Sequence, residues 1–312
     1  MKKRLSVLLA GLSVVSMSSC SMEGPGAASS GNTVTPAAHS DGATIGLSIS
    51  TLNNPFFVSL RTGAEAEAQA AGLGLITVDS QNDPAKQIAG VEDLIQKKVR
   101  VIMINPTDSD AVSNVVKEAT AAGVKVISLD RAVNGAEVSS HIASDNVAGG
   151  RMAAAFLLQK LDGKGNVVEL QGIPGSSAAR ERGEGFESGI AGRAGVKLVA
   201  AQPADFDRAK GLTVMENILQ GNHNIQGVFA QNDEMALGAE KAVEAAGLHD
   251  VVVVGFDATP DAVAAVKAGK LAATVQQKPD LIGKMGVDVA KRLIEGKPVE
   301  KNVPVPLALV SQ

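Results

Sequence analysis

The sequence predicts an α/β protein built on parallel sheets, and three observations carry that prediction. From Thr44 onward, short apolar runs alternate with longer Ala-rich amphipathic stretches, the pattern of successive βαβ units. Hydrophobic residues make up 45% of the chain and charged residues 20%, a globular balance. At 312 residues the chain is also long enough for two domains of ordinary size.

The elements follow in chain order. Lys2, Lys3 and Arg4 precede the apolar run Leu5–Val15, and the small residues Ser18 and Ser19 lead to Cys20. That run is much shorter than the ~20 residues needed to cross ~30 Å of hydrocarbon, so 1–20 reads as an export signal. It resembles a bacterial lipoprotein signal, with Cys20 as the lipidated first residue of the mature chain, although Met17 stands where Leu is more usual. Cys20 is the only cysteine, which rules out a disulfide within the chain. Residues 21–42 are Ser, Gly, Ala, Pro and Thr with few large apolar groups, the composition of a flexible tether. No later segment has the length and apolarity of a membrane span.

In the body, strands are expected at Thr44–Ser50, Leu73–Val78, Val101–Ile104, Val124–Leu129, Asn166–Leu170, Val196–Ala201, Gly227–Ala230, Val251–Phe256 and Leu271–Val275. Helices are expected at Phe57–Ala71, Ala85–Lys97, Ala111–Ala122, Val147–Leu161, Ala178–Ala191 and Glu234–Ala246. Ala122-Gly123 and Ala246-Gly247 read as helix ends.

Polar residues cluster directly after the strands: Asn53-Asn54-Pro55, Asn105-Pro106-Thr107-Asp108, Asp130-Arg131, Gln231-Asn232-Asp233 and Asp257. In open parallel sheets, ligands bind outside the carboxyl ends of the strands, so two facing sheets would gather these clusters in one cleft. Helix capping is the competing reading, since Asn and Asp satisfy free amides at a helix start. Asp108, Asp145 and Asp233, each just ahead of a helical stretch, are assigned to capping. Arg131 and Arg182 have no such explanation. Only seven Phe and no Trp or Tyr are present, so each ring is informative. Phe156, Phe186, Phe229 and Phe256 fall on core faces, whereas Phe206 lies in a polar loop between Asp205 and Asp207. His141 reads as a structural histidine.

Several function classes are disfavoured. The net charge is −4 with no basic block in the body, unlike a nucleic-acid surface. There is no HExxH, no metal-spaced Cys/His cluster and no GxxxxGK[ST] phosphate loop. Gly183-x-Gly185 falls inside a helical stretch rather than after a strand, which weakens a dinucleotide reading. Asp79-Ser80-Gln81-Asn82-Asp83 resembles a calcium loop but lacks the Gly and Glu that loop requires. No enzyme activity, cofactor or metal is expected.

Nine ordered segments carry a family resemblance: STLNNPFFVSL (50–60), INPTDSDAV (104–112), SLDRAV (128–133), HIASDN (141–146), AARERGEGF (178–186), QPADFDR (202–208), FAQNDEMALG (229–238), VVGFDATPD (253–261) and LAATVQQKPD (271–280). They resemble the ribose-binding proteins of bacterial ABC importers, from about Ile45 to near the C-terminus. The resemblance implies two doubly wound parallel-sheet lobes joined by a three-crossover hinge, the type I periplasmic binding protein fold. It divides the chain into lobe 1 at 43–144 plus 278–306 and lobe 2 at 145–277 plus 307–312. It also implies sugar contacts at Asn54, Phe56, Phe57, Asn105, Asp130 and Arg131 from the first lobe, and Arg182, Phe206, Asn232, Asp257 and Gln277 from the second. Ala258 replaces the Gly more familiar after that Asp, and Gln276 and Lys278 differ beside Gln277.

These residue types suit a neutral polyol. Asp130 and Asp257 accept hydroxyl protons, Arg131 and Arg182 donate in a planar fork, and the amides do both. Phe56, Phe57 and Phe206 offer flat walls to C–H faces, and two Arg against two Asp leave the set near neutral. The implied role is capture of D-ribose or a closely related monosaccharide outside the cytoplasm, and delivery to the permease of an ABC importer. A chemoreceptor is a second candidate partner. The protein is expected to act as a monomer that meets the membrane only through its lipid anchor. Alternatives are another pentose, a hexose or a furanose-like signal molecule on the same fold. A sugar-sensing repressor core is more remote, because a signal and tether stand where a DNA-binding headpiece would be.

Overall fold

The computed structural model describes residues 42–312; the expected export signal, Cys20 and the expected tether up to residue 41 lie outside the described residues. The first half of the body runs β1 (Thr44–Ile49), α1 (Pro55–Ala71), β2 (Gly74–Asp79), α2 (Pro84–Gln96), β3 (Val101–Ile104), α3 (Ser113–Ala121), β4 (Lys125–Leu129) and β5 (Ser140–Ser144). Next come α4 (Asn146–Lys160), β6 (Gly165–Gln171), α5 (Ser177–Ile190), β7 (Val196–Pro203), α6 (Arg208–Gly221), β8 (Gly227–Ala230), α7 (Asp233–Ala245), β9 (Val252–Asp257), α8 (Pro260–Lys267) and β10 (Ala273–Gln276). The chain ends with α9 (Pro279–Ile294), β11 (Asn302–Val305) and β12 (Ala308–Ser311).

Two six-stranded sheets result. The first has order β11-β5-β4-β3-β1-β2 and is parallel throughout. The second has order β12-β10-β9-β8-β6-β7 and is parallel except where β12 runs antiparallel to β10. Helix α4 packs on β8, β9 and β10, whereas α9 packs on β3, β4 and β5. The chain therefore crosses between the lobes three times: into α4, into α9, and between β11 and β12.

The strand β3, Val-Ile-Met-Ile, shows why the sheets are covered on both faces. All four residues are fully buried, Val101 and Met103 on one side with Leu47, Ile127 and Ile282, and Ile102 and Ile104 on the other with Leu94 and Val116. A period of two in an unbroken apolar run is what a central parallel strand requires. Helix starts follow from local chemistry: Asn54, Asp83, Asp145, Asp207 and Asn232 accept from first-turn amides, and Pro55, Pro84, Pro260 and Pro279 open their helices. Gly123 and Gly247, just beyond the C-caps of α3 and α7, have φ of 82° and 70°.

Three expectations need correction. Asp233 does not cap α7: its carboxylate accepts from Thr259 N and Thr274 Oγ1, both at 2.7 Å, and Asn232 is the cap. Burial of Asp233 beneath β9 and β10 turns it inward, away from its own helix. The stretch expected as a helix from Ala111 begins at Ser113, because Asp108 first closes a turn by accepting from Asp110 N and Ala111 N. The strands β5, β11 and β12 and the helices α6, α8 and α9 add to the elements expected from sequence.

Candidate functional site

Each sheet reverses its strand order once, between β1 and β3 in the first and between β6 and β8 in the second. Ligands of doubly wound sheets bind at such switch points. The loops leaving these strands meet around a narrow pocket. Asn54, Phe56, Phe57, Asp130 and Arg131 line it from the first lobe, and Ala178, Arg182, Phe206, Asn232 and Asp257 from the second. Nine of the eleven residues anticipated from sequence thus share one wall set. The other two, Asn105 and Gln277, stand behind it: Asn105 Nδ2 donates to Asp130 Oδ2 at 3.2 Å and Gln277 Nε2 to Asp257 Oδ1 at 2.9 Å. All eleven are buried.

The backbone at the site is strained. Asp130, Asp205, Phe206, Asp257 and Ala258 have φ of 61°, 54°, 60°, 119° and 57°, values that side-chain-bearing residues rarely adopt. These turns bring both carboxylates and the Phe206 ring into the cleft. Ala258 has a left-handed φ that a Gly would adopt without strain.

The two arginines are fixed mainly by neutral acceptors. Arg131 Nη1 donates to Pro106 O at 2.9 Å, and its guanidinium lies 5.1 Å from the Phe57 ring and 5.2 Å from the Phe206 ring. Arg182 donates from Nε to Asn146 Oδ1 at 2.9 Å and from Nη1 to Gln231 O at 2.8 Å, and stacks 3.9 Å from the Phe256 ring. Neither arginine hydrogen-bonds its nearest carboxylate: Arg131 Nε to Asp130 Oδ2 and Arg182 Nη1 to Asp257 Oδ1 are both 3.7 Å. Among the described residues, the buried atoms Asp130 Oδ1, Arg131 Nε and Gln277 Oε1 have no hydrogen-bond partner. The site therefore offers donors and acceptors in close array.

Burial dominates the electrostatics. It pushes the Arg131 guanidinium down to about 10 against the pull of Asp130, which still leaves it charged at neutral pH. It pushes Asp257 up to about 7, with Arg182 and the Gln277 bond opposing. Asp233, wholly buried near Asp257, is held well above the usual carboxylate range by burial and by that neighbouring charge. His141 is lowered by burial and bonds Ser128 Oγ at 2.8 Å, within the first lobe. Among the described residues no group of three His, Cys, Asp or Glu side chains is placed to hold a metal.

The sequence places Gln231 in a polar cluster after its strand without joining it to Arg182, and it gives no sign of Ala178 or of Asn146 and the stacked Phe256 as the groups that hold that arginine. Asn146 and Gln231 lie 36 and 49 positions from Arg182, so no local pattern joins them. Asn54 and Asn232 satisfy both earlier readings at once, since each caps a helix and lines the pocket. Gly185 serves packing, lying against the backbone of Val147 in α4.

Residues 45–298 match the periplasmic binding protein domain. The ribose import binding protein of Bacillus subtilis (strain 168) is 51% identical over 312 residues, covering 100% of both chains. That of Salmonella typhimurium is 55% identical over 267 residues, covering 86% of this chain and 90% of that protein. Among solved structures, the Caulobacter myo-inositol binding protein bound to myo-inositol has a TM-score of 0.83 at 34% identity, covering 90% of this chain and 96% of that one. Sequence match, two-lobed fold and a pocket at both switch points agree: the chain belongs to the periplasmic binding protein family, among the sugar-binding proteins of import systems.

Proposed function

We propose that the protein captures D-ribose outside the cytoplasm by closing its lobes on the sugar and delivers it to an ABC-type membrane importer. The observation that carries this reading is the paired arrangement of Asp130 with Arg131 and Asp257 with Arg182. Each pair is set 3.7 Å apart, one in each lobe, beside the rings of Phe57 and Phe206. A pentose inserted there meets acceptors and donors on its hydroxyls and flat walls on its C–H faces. The pocket is narrow and lined by residues of both lobes, as a site that closes around a small ligand requires. The identity to ribose import binding proteins supports ribose among such sugars.

Binding energetics fit the reading. Micromolar capture needs about −8 kcal/mol. Hydrogen bonds to charged groups contribute roughly 1.5–3 kcal/mol each, against ordering and desolvation costs of ~4–15 kcal/mol. The ligand contacts both lobes, so it favours closure by its differential affinity for the closed form. Residues 43–144 with 278–306, and 145–277 with 307–312, are proposed as the moving bodies. Cys20 is the proposed lipid anchor, and a chemoreceptor is a second proposed partner. The role is binding rather than catalysis.

Calorimetric titration with D-ribose, allose, arabinose, galactose and myo-inositol tests the reading. The expected result is tightest binding for ribose, at micromolar dissociation constant or below. No heat with ribose, and binding of a different sugar, would refute the ligand assignment.

A further inference from the structure

The bonds that hold Arg182 lead to a group outside the cleft. Gln231 is 1% exposed and presents its carbonyl to Arg182 Nη1. Its side-chain amide is pinned at both ends: Oε1 accepts from Gly172 N at 2.8 Å, and Nε2 donates to Glu169 Oε1 at 2.9 Å. Gly172 lies directly against the Phe206 ring, so close that a Cβ there would overlap it. One residue therefore ties together the arginine, through its backbone carbonyl, and the aromatic wall of the second lobe, through its side-chain amide.

Glu169 is fully buried on β6 and does not line the sugar pocket. A carboxyl at this position is costly, and an apolar side chain would serve the sheet better unless the carboxyl had a role. The groups facing it are Gln171 on β6, Gln231 after β8, and Glu187 on α5; Arg180 and Glu184 of α5 line the adjoining cavity. Burial raises Glu169 to about 7, the Gln231 bond opposes this, and the Glu187 charge adds to it.

We propose that Glu169 is a positioning residue for the sugar site. By clamping the Gln231 amide against Gly172, it keeps the Gln231 carbonyl on Arg182 and Phe206 in place, and so sets sugar affinity from outside the cleft. This rests on the sugar-binding reading above. The ionised carboxylate makes the stronger, charge-assisted bond to Gln231. Once protonated, it accepts only as a neutral oxygen and the clamp loosens.

Calorimetry with D-ribose on wild type, Glu169→Gln and Glu169→Leu at about pH 8 and about pH 6, with thermal melts of each, provides the test. At about pH 8, Glu169→Leu should bind about tenfold more weakly and Glu169→Gln about threefold more weakly. At about pH 6 the wild-type carboxyl is protonated and the wild-type advantage over Glu169→Gln should vanish. Asp257 titrates in both proteins, so the ratio of variant to wild-type affinity, rather than wild-type affinity alone, is the readout. A purely structural role would lower the melting temperature and leave the ratio unchanged with pH. Should Glu169→Leu not fold, Gln231→Met reports the same link and should lose about tenfold. Equal affinities at about pH 8, a pH-independent ratio, or full affinity in Gln231→Met overturns the inference, while the sugar reading survives because wild type still binds. A wild type indifferent to every sugar overturns both.

Discussion

Gly175→Ala should separate closure from folding. Gly175 lies on the seam between the lobes, where its carbonyl accepts from Ser109 N at 2.9 Å. Two further bonds cross nearby: Ser177 N donates to Ser109 Oγ at 3.0 Å, and Ala132 N donates to Ser177 Oγ at 2.9 Å. A Cβ on Gly175 would overlap the Asp108 carboxylate of the opposite lobe. Asp108 does not swing aside freely, because Oδ1 accepts from Asp110 N at 2.8 Å and Ala111 N at 2.9 Å. Overpacking of this kind costs about 1–3 kcal/mol, and here the cost falls on the closed form alone. Ligand affinity should therefore weaken by about 5- to 150-fold in calorimetry. Gly175 is outside the positive-φ set, so Ala fits its backbone and the unliganded melting temperature should stay within a degree or two of wild type. Wild-type affinity in the variant would refute the reasoning, as would an equal loss of stability without ligand.

Three further outcomes follow from the geometry. Arg182→Ala removes the bonds to Asn146 and Gln231 and leaves Asp257 buried without its ion-pair partner, so titration should show at least about a hundredfold loss of affinity. Ala258→Gly relieves a φ of 57°, gaining ~1–2 kcal/mol against ~0.5–1 kcal/mol of added chain entropy, and urea unfolding should show a small net gain. Finally, Glu169 stands at about 7 in the folded protein against 4.5 ordinarily, so the folded state holds its proton where the unfolded chain has lost it. Its stabilisation is full below about pH 4.5 and is lost as pH rises through about 7, a swing of about 3 kcal/mol. Melting temperature without ligand should fall across that window, Asp257 acting in the same direction, and the fall should shrink in Glu169→Gln.

Much of the fold was legible because the central strands are short, apolar and bounded by polar loops. Val101–Ile104 and Gly227–Ala230 match their expected limits residue for residue. The edge elements were not, for physical reasons. β11 contains Pro304 and reads Asn-Val-Pro-Val, and β12 is held by a partner, β10, that the sequence places far away. β5, Ser-His-Ile-Ala-Ser, has one large aliphatic residue and depends on neighbours on both sides.

The site was legible where a residue type was out of place. Phe206, a ring amid polar residues, is 9% exposed and faces the cleft. It was not legible where function depends on contacts distant in sequence. Asp233 looks like a cap by position, yet one of its partners is Thr274, 41 residues on. Glu169 reads as one polar residue in a strand until Gln231, 62 residues later, is brought against it.

The three crossings bear on how the jaws swing. All of them leave from the β5/β11 edge of one sheet and the β10/β12 edge of the other. Pivoting about that side moves β2 and β7, the opposite margins, through the widest arc. Probes attached beyond those strands, at Asn82 and Asp207, would register the gape most sensitively, whereas probes beside Ser144 and Gln277 would barely stir.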